Sequence, residues 1–580
     1  MKRSRIREGV VSMLLLVTIA LLSGHAIGSA RRAPAQSETS AKSAAPPQQL
    51  SPEGQAALVA AIQAGNLPEL RWPDFSDYGK LVKEFYESYG YSLPWVTGMQ
   101  PTTQAQQAIT LLLNAGQKGL SAEDYDGPLW GDRLAKLKAG ASQSSEADAL
   151  QFDVALTVSV MRYISDLHIG RVNPKHFDFG LDIEAKKYDL PQFLKQDVVG
   201  ASDVAVALAQ VEPQYPGYRR TIQALNVYLD LVGKDDGEQL PAVTKTIAPG
   251  DAYPGVPRLI RLLTLLGDLP AGASVAGDGT VYQGALVDAV KNFQRRHGHD
   301  PDGRIDTRTL AELNIPLTRR VRQMQLTLER WRWLPLEYGK SPIVANIPEF
   351  RLRAYDENFK IGATMNVVVG KALDHNTPVF SNTMQYVVFR PYWSVPYSIA
   401  RAEFLPRIAK DPDYLTKKGF EVVNSRQDVV ESGTVTSDEL QQLRAGKLFI
   451  RQKPGPKNSL GLVKFIFPNN FNIYMHDTPE QEFFSKSRRD FSHGCIRLEK
   501  PADLAVWVLR DNPGWNMDHV RAAMNGSETQ QVNLVHPIPV LILYATVIVT
   551  EDGQVHFYDD IYGHDASLEK VLAKGYPYPG

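Results

Sequence analysis

The chain has 580 residues, of which 43% are hydrophobic, 22% charged and 9% aromatic, the composition of ordinary globular protein with room for three or four domains. Its 63 basic and 64 acidic side chains nearly balance and no long single-sign run interrupts them, so no nucleic-acid partner is expected. The 12 His residues are scattered, with neither HExxH nor paired CxxC spacing, so no metal and no other cofactor is expected.

At the N-terminus Lys2, Arg3, Arg5 and Arg7 precede an apolar run from Val10 to Leu22, and small residues follow at Gly28, Ser29 and Ala30. That layout is an export signal, and the run is shorter than the ~20 residues that span a bilayer. Residues 1–30 therefore read as a signal peptide or as a membrane anchor that tethers the chain by its N-terminus. Either reading places the remainder outside the cytoplasm, in the periplasm. Residues 31–54 are rich in Ala, Ser, Pro and Gln and read as a disordered linker. Residues 55–250 are helical in pattern and read as a scaffold; Ala147 to Leu167 is a long apolar-periodic helix. Residues 251–316 read as a small three-helix module, with the turn-rich Asp300–Asp306 between its second and third helices.

From Ser341 the pattern becomes strands rich in Val, Ile, Phe and Tyr, so 341–580 is expected to be a mainly β domain. A polar segment, 398–458, with helix-like pieces interrupts it and reads as a helical lid or binding insertion. GLVKFIF and FNIYMHD are expected to pair as a hairpin across Pro468, Asn469 and Asn470, with Tyr474 and His476 on one strand face. Fourteen residues, Thr478 to Phe491, then lead to Ser492, His493, Gly494 and Cys495.

Cys495 is the chain's one cysteine. It cannot form an intramolecular disulfide, and a lone thiol in an exported protein is a liability unless it acts. With a pKa near 8.5 a free thiol is only a few per cent thiolate at pH 7. Pairing with an imidazole would lower that pKa, and full ionisation would raise the reactive fraction roughly 30-fold, about 2 kcal/mol. His476 and His493 are both candidates for the partner. Gly494 permits a tight turn, in which the amides of His493, Gly494 and Cys495 could converge on an oxyanion.

The spacing of His476, Asp477 and the Ser492-His493-Gly494-Cys495 run resembles the signature of the L,D-transpeptidase (YkuD) catalytic domain. VVVGK, TPVF, FRPYW and HDTP look like other blocks of that family. The whole chain resembles the large YcbB-type transpeptidases, and Ala289, Phe293, Gln294, Gly298, Asp302, Gly303, Thr309, Leu310 and Asn314 resemble the pattern of a peptidoglycan-binding module. The resemblance implies a helical scaffold, the small module, and a YkuD-like β-sandwich with a capping insertion. It implies that Cys495 attacks the bond between the third stem-peptide residue and D-Ala, and that a second stem's amine resolves the thioester as a 3→3 cross-link. It further implies His476 as base, His493 as an orienting residue, and Arg497, Tyr474, Ser492 and Trp393 as substrate contacts. Peptidoglycan stem peptides and glycan are the implied partners, together with other cell-wall synthases, and carbapenems the implied inhibitors. A hydrolase of the same fold and a non-enzymatic wall-binding scaffold are the alternatives.

Overall fold

The computed structural model describes residues 46–138, 146–273, 279–336, 341–372, 375–431 and 433–579. The expected export signal and most of the expected linker lie outside the described residues. The end of that linker is ordered: Gln48 bridges Leu93 and a helix spans Pro52–Ala64. Its start is built by Ser51, which caps Gly54 N–H and is itself gripped through N and Oγ by Glu146 at 2.7 and 2.5 Å. No helix among the described residues is long and apolar enough to cross a membrane.

The helical region forms around Glu146–Ile169, whose side chains from Phe152 to Ile164 are buried on every face. That explains an apolar run without a strong polar side. Within it Asp153 is fully enclosed and accepts from Tyr86 Oη at 2.7 Å and Trp95 N at 2.8 Å. A later helix, Leu317–Arg332, joins this region to the β domain. Its buried Glu329 accepts from the backbone of Arg171 and Val172.

Three helices, Val256–Leu265, Ala285–Arg296 and Thr307–Leu313, make the small module around Leu259, Leu263, Val290, Phe293 and Leu310. Its hub is Gln294, which is buried. Its Nε2 donates to Asp302 Oδ1 and Arg304 O at 2.9 Å, and its Oε1 accepts from Gly303 N at 2.8 Å. The polar residues of the sequence pattern therefore tie the turn to the second helix.

Among the described residues nine strands form the main sheet of the β domain: β1 (Ile343–Asn346), β2 (Arg351–Tyr355), β3 (Ile361–Gly370), β4 (Phe380–Phe389), β5 (Val463–Ile466), β6 (Met475–His476), β7 (Asp490–Ser492), β8 (Ile496–Leu498) and β9 (Gln530–Leu543). Their order is β7-β3-β8-β6-β5-β4-β9-β1-β2, and β2 also pairs with β3. The mainly β character is as read from the sequence. The pairing, however, closes eight strands into one ring instead of two separate sheets. Inward residues such as Val367, Met384, Val387, Phe465, Met475, Ile496 and Val540 fill it.

The insertion is a correction to the helical expectation. It holds short helices and also a four-stranded sheet in which Phe449–Gln452 lies between Trp393–Ser394 and Phe420–Val423, with Val429–Glu431 outermost. It has its own core of Val395, Phe404, Ile408, Phe420, Val422, Leu443 and Ile450. The subdomain thus begins at Trp393 rather than 398, because Trp393 pairs with Gln452.

Candidate active site

The site is drawn on the outer face of β5, β6 and β8. Antiparallel pairing sets Phe465 beside Met475 and Lys464 beside His476. Parallel pairing sets Met475 beside Ile496 and His476 beside Arg497. Phe465, Met475 and Ile496 all point into the core and are essentially unexposed, so strand alternation turns Lys464, His476 and Arg497 outward in one row. Tyr474 and Cys495, each two residues back, share that outer face. The expected hairpin and its facing are therefore present. Opposite this face stands the insertion, and the cleft between them encloses about 1510 Å³, lined by Trp393, Tyr474, His476, His493, Cys495 and Arg497 among others.

Cys495 is half-buried and free. Tyr474 lies beside its sulfur and acts to lower the thiol's pKa, and Asn472 O lies 3.9 Å from Sγ. Trp393 of the insertion lines the cleft together with Tyr474 and acts on the tyrosine's ionisation, which brings the insertion to the thiol's surroundings. Burial pushes the thiol above its ordinary pKa, an effect opposed by Tyr474 and by the nearby cations Lys464 and Arg497. His476 is buried, and desolvation together with Arg497 pulls it down to about 3. The resting pair is therefore neutral thiol and neutral imidazole, not the imidazolium-paired thiolate that sequence suggested. The reason is that two cations flank the imidazole and water does not reach it.

The His476 tautomer follows from its partner. Nδ1 lies 2.5 Å from Asp477 O, a carbonyl that can only accept, so the proton sits on Nδ1 and Nε2 keeps its lone pair. Asp477 holds that carbonyl in place: its carboxylate accepts from Leu462 N at 2.8 Å and Thr478 N at 2.7 Å. An unprotonated Nε2 on the strand beside the thiol suits a general base.

His493 is tied to the insertion. It is exposed, its Nε2 meets Glu403 Oε1 of the insertion at 2.7 Å, and its ring lies 4.7 Å from that of His375. Gly494 has φ +112°, a conformation reserved for glycine. Its N–H donates to Ser492 Oγ at 3.1 Å, so that amide is not available to an oxyanion. Ser492 is buried and donates to Cys495 O at 2.6 Å, so its hydroxyl closes the turn at the edge of the cleft that it lines. Thr377 fastens the same turn to β3, donating to Gly494 O at 2.7 Å and accepting from Gly370 N at 2.8 Å.

Arg497 is half-buried and paired with Glu480. Sequence reasoning missed Lys464, Glu480 and Glu403 as members of the site, and quoted Asp477 in the signature without giving it a role. The signal for Asp477 was present, directly after His476. Lys464 in GLVKFIF shows itself only once the hairpin register is drawn.

Residues 341–528 match the family described as "L,D-transpeptidase catalytic domain". The chain carries a YkuD-type transpeptidase domain. Residues 80–225 match a "Scaffold domain" and 254–313 a "Putative peptidoglycan binding domain". A Haemophilus influenzae protein named "Putative L,D-transpeptidase" is 28% identical over 260 residues, which cover 45% of this chain and 50% of that relative. The chain thus spans about half the length of the curated relative it matches.

Proposed function

We propose that the chain is an exported enzyme of the periplasm that joins peptidoglycan stem peptides by acyl transfer through Cys495, giving 3→3 cross-links. One observation carries the reading. The chain's sole thiol and an imidazole with a free Nε2 share one strand face, beneath an insertion that walls a large cleft. The family match supports peptidoglycan as the substrate class.

In this mechanism the donor's third-residue carbonyl settles over Cys495, and His476 Nε2 takes the thiol proton as sulfur attacks. A thioester forms, the amide C–N bond breaks, and the proton passes from Nε2 to the departing D-Ala amine. The acceptor stem's side-chain amine then enters, gives a proton to Nε2, and displaces sulfur, which regains that proton. The unprotonated Nε2 has the lone pair this order needs, and the cations beside it make the proton transfer uphill until an anionic donor group offsets them. The insertion limits water while the thioester waits, with its Trp393 lining the cleft beside Tyr474.

Incubation with purified disaccharide-tetrapeptides, read by mass spectrometry, tests the proposal. A cross-linked dimer with the mass of two tetrapeptides less one D-Ala is expected. Tripeptide alone would make the protein a hydrolase, and neither product would overturn the enzymatic reading.

A further inference from the structure

Among the described residues that line the cleft, one half-buried cation has no carboxylate partner. Glu480 is taken by Arg497 and Glu403 by His493. Asp477 faces the amides of Leu462 and Thr478. On the insertion Lys417 is held by Asp411 and Lys453 by Glu421, while Lys418 and Lys457 are exposed. Lys464 is half-buried, lines the cleft, and holds its Nζ 4.8 Å from the Tyr474 ring centroid. No ion pair joins it to a carboxylate among the described residues.

We propose that Lys464 forms a subsite for the terminal carboxylate of the donor peptide, so that the site selects a chain ending one residue beyond the bond Cys495 attacks. The inference rests on the acyl-transfer reading above and names the residue that enforces its donor specificity.

Three observations carry it. An ammonium shielded from water without a counter-charge is unfavourable, and burial does pull Lys464 below its ordinary pKa. The ionisable neighbour that restores it is Cys495, which places the ammonium within electrostatic reach of the reacting sulfur. The row Lys464–His476–Arg497 then fixes direction: adjacent strands stand about 4.8 Å apart, so Lys464 and Arg497 flank the base from opposite sides. Arg497 already has its carboxylate in Glu480, and Lys464 has none.

The chemistry of a donor supplies what is missing. The residue after the scissile bond carries its carboxylate on the Cα attached to the leaving nitrogen. Standard bond lengths put that carboxylate carbon roughly 3–4 Å from the attacked carbonyl carbon. A peptide one residue longer presents a neutral amide at that place and moves its carboxylate about 3.5 Å further. A lysine is a point charge on a flexible stem, suited to reading the presence of charge at one position.

The test compares three donors on the full chain: the disaccharide-tetrapeptide, the same peptide with a C-terminal carboxamide, and the pentapeptide. Wild type is expected to favour the free tetrapeptide over its amide by tenfold or more in kcat/KM, the usual worth of a hydrogen bond to a charged group. Lys464→Met should lose about that factor on the tetrapeptide and little on the amide, which collapses the ratio toward one. Lys464→Arg should keep part of the preference. The wild-type ratio is itself informative and needs no variant to fold; a ratio near one overturns the inference. So does an equal loss on both donors in Lys464→Met, which would assign Lys464 to the thiol alone. Release of the leaving group (D-Ala from the tetrapeptide, its amide from the carboxamide, the terminal dipeptide from the pentapeptide) from none of the three would overturn the acyl-transfer reading and this inference with it, whereas release without discrimination overturns only the latter.

Discussion

The pH dependence of Cys495 alkylation separates two electrostatic designs for a Cys–His pair. In one an imidazolium holds a thiolate at neutral pH. In the other both groups rest neutral, as the buried His476, flanked by Lys464 and Arg497, requires here. A thiol raised above its ordinary ~8.5 is at most about 3% thiolate at pH 7. The rate of reaction with iodoacetamide, which is uncharged and attacked by thiolate, should therefore climb close to tenfold per pH unit from 7 to 8.5, with no plateau in that range. Because Cys495 is the only cysteine, the whole signal belongs to it. His476→Ala should leave the midpoint within about half a unit, since an imidazole with a pKa of about 3 carries no charge at these pH values. Lys464→Met should move the midpoint upward, because that ammonium opposes the effect of burial. A plateau beginning below pH 7.5 that disappears in His476→Ala would refute the neutral-pair argument and restore the imidazolium–thiolate design.

Gly494→Ala places a β-carbon at φ +112° and 3.2 Å from Ile473 Cδ1; stability should fall by about 1–3 kcal/mol in thermal unfolding, and turnover by tenfold or more because the nucleophile shifts. Gln294→Ala leaves Gly303 N–H without its acceptor and frees Arg304 O, so the turn at 300–306 should become a site of limited proteolysis, at about 1–3 kcal/mol of local stability. Asp153 has its folded pKa raised to about 8 from 3.8, so the folded state binds the extra proton. Its contribution is present in full below pH 3.8 and is lost as pH rises through 8; the melting temperature of Asp153→Asn relative to wild type should rise across that window, and a flat difference would count against the assignment.

The strands of the site were legible because their two faces differ sharply. Phe465, Met475 and Ile496 alternate with Lys464, His476 and Cys495 or Arg497, and period-two alternation survives even in strands of two to four residues. The thiol motif was legible for a chemical reason, as the only cysteine stood beside a glycine and a histidine. Ring closure was not, since the pairing of β2 with β3 is a long-range event that neither strand's composition encodes. The insertion's sheet was misread because its strands are two to four residues long and lie among polar turns, where local pattern favours helix. The hydrogen bonds that Ser492 and Gly494 make within their own turn were not legible, because spacing identifies which residues form a tight turn but not which amides the turn itself consumes.

Lys464 shows most clearly what register adds to pattern. In sequence it is a lysine alternating with Val463 and Phe465, the ordinary outward residue of a half-buried strand. Its significance arises only when the hairpin places it opposite His476 and the next strand places Arg497 on the other side. Two cations then bracket one imidazole, and the consequences run in opposite directions for the two reacting groups. The cations suppress protonation of His476 and favour ionisation of Cys495. A proton moving from sulfur to Nε2 is thus opposed at the nitrogen by the same charges that assist at the sulfur. An anionic substrate group against Lys464 would relieve the opposition at nitrogen, so binding of the donor and readiness of the base are coupled through one side chain.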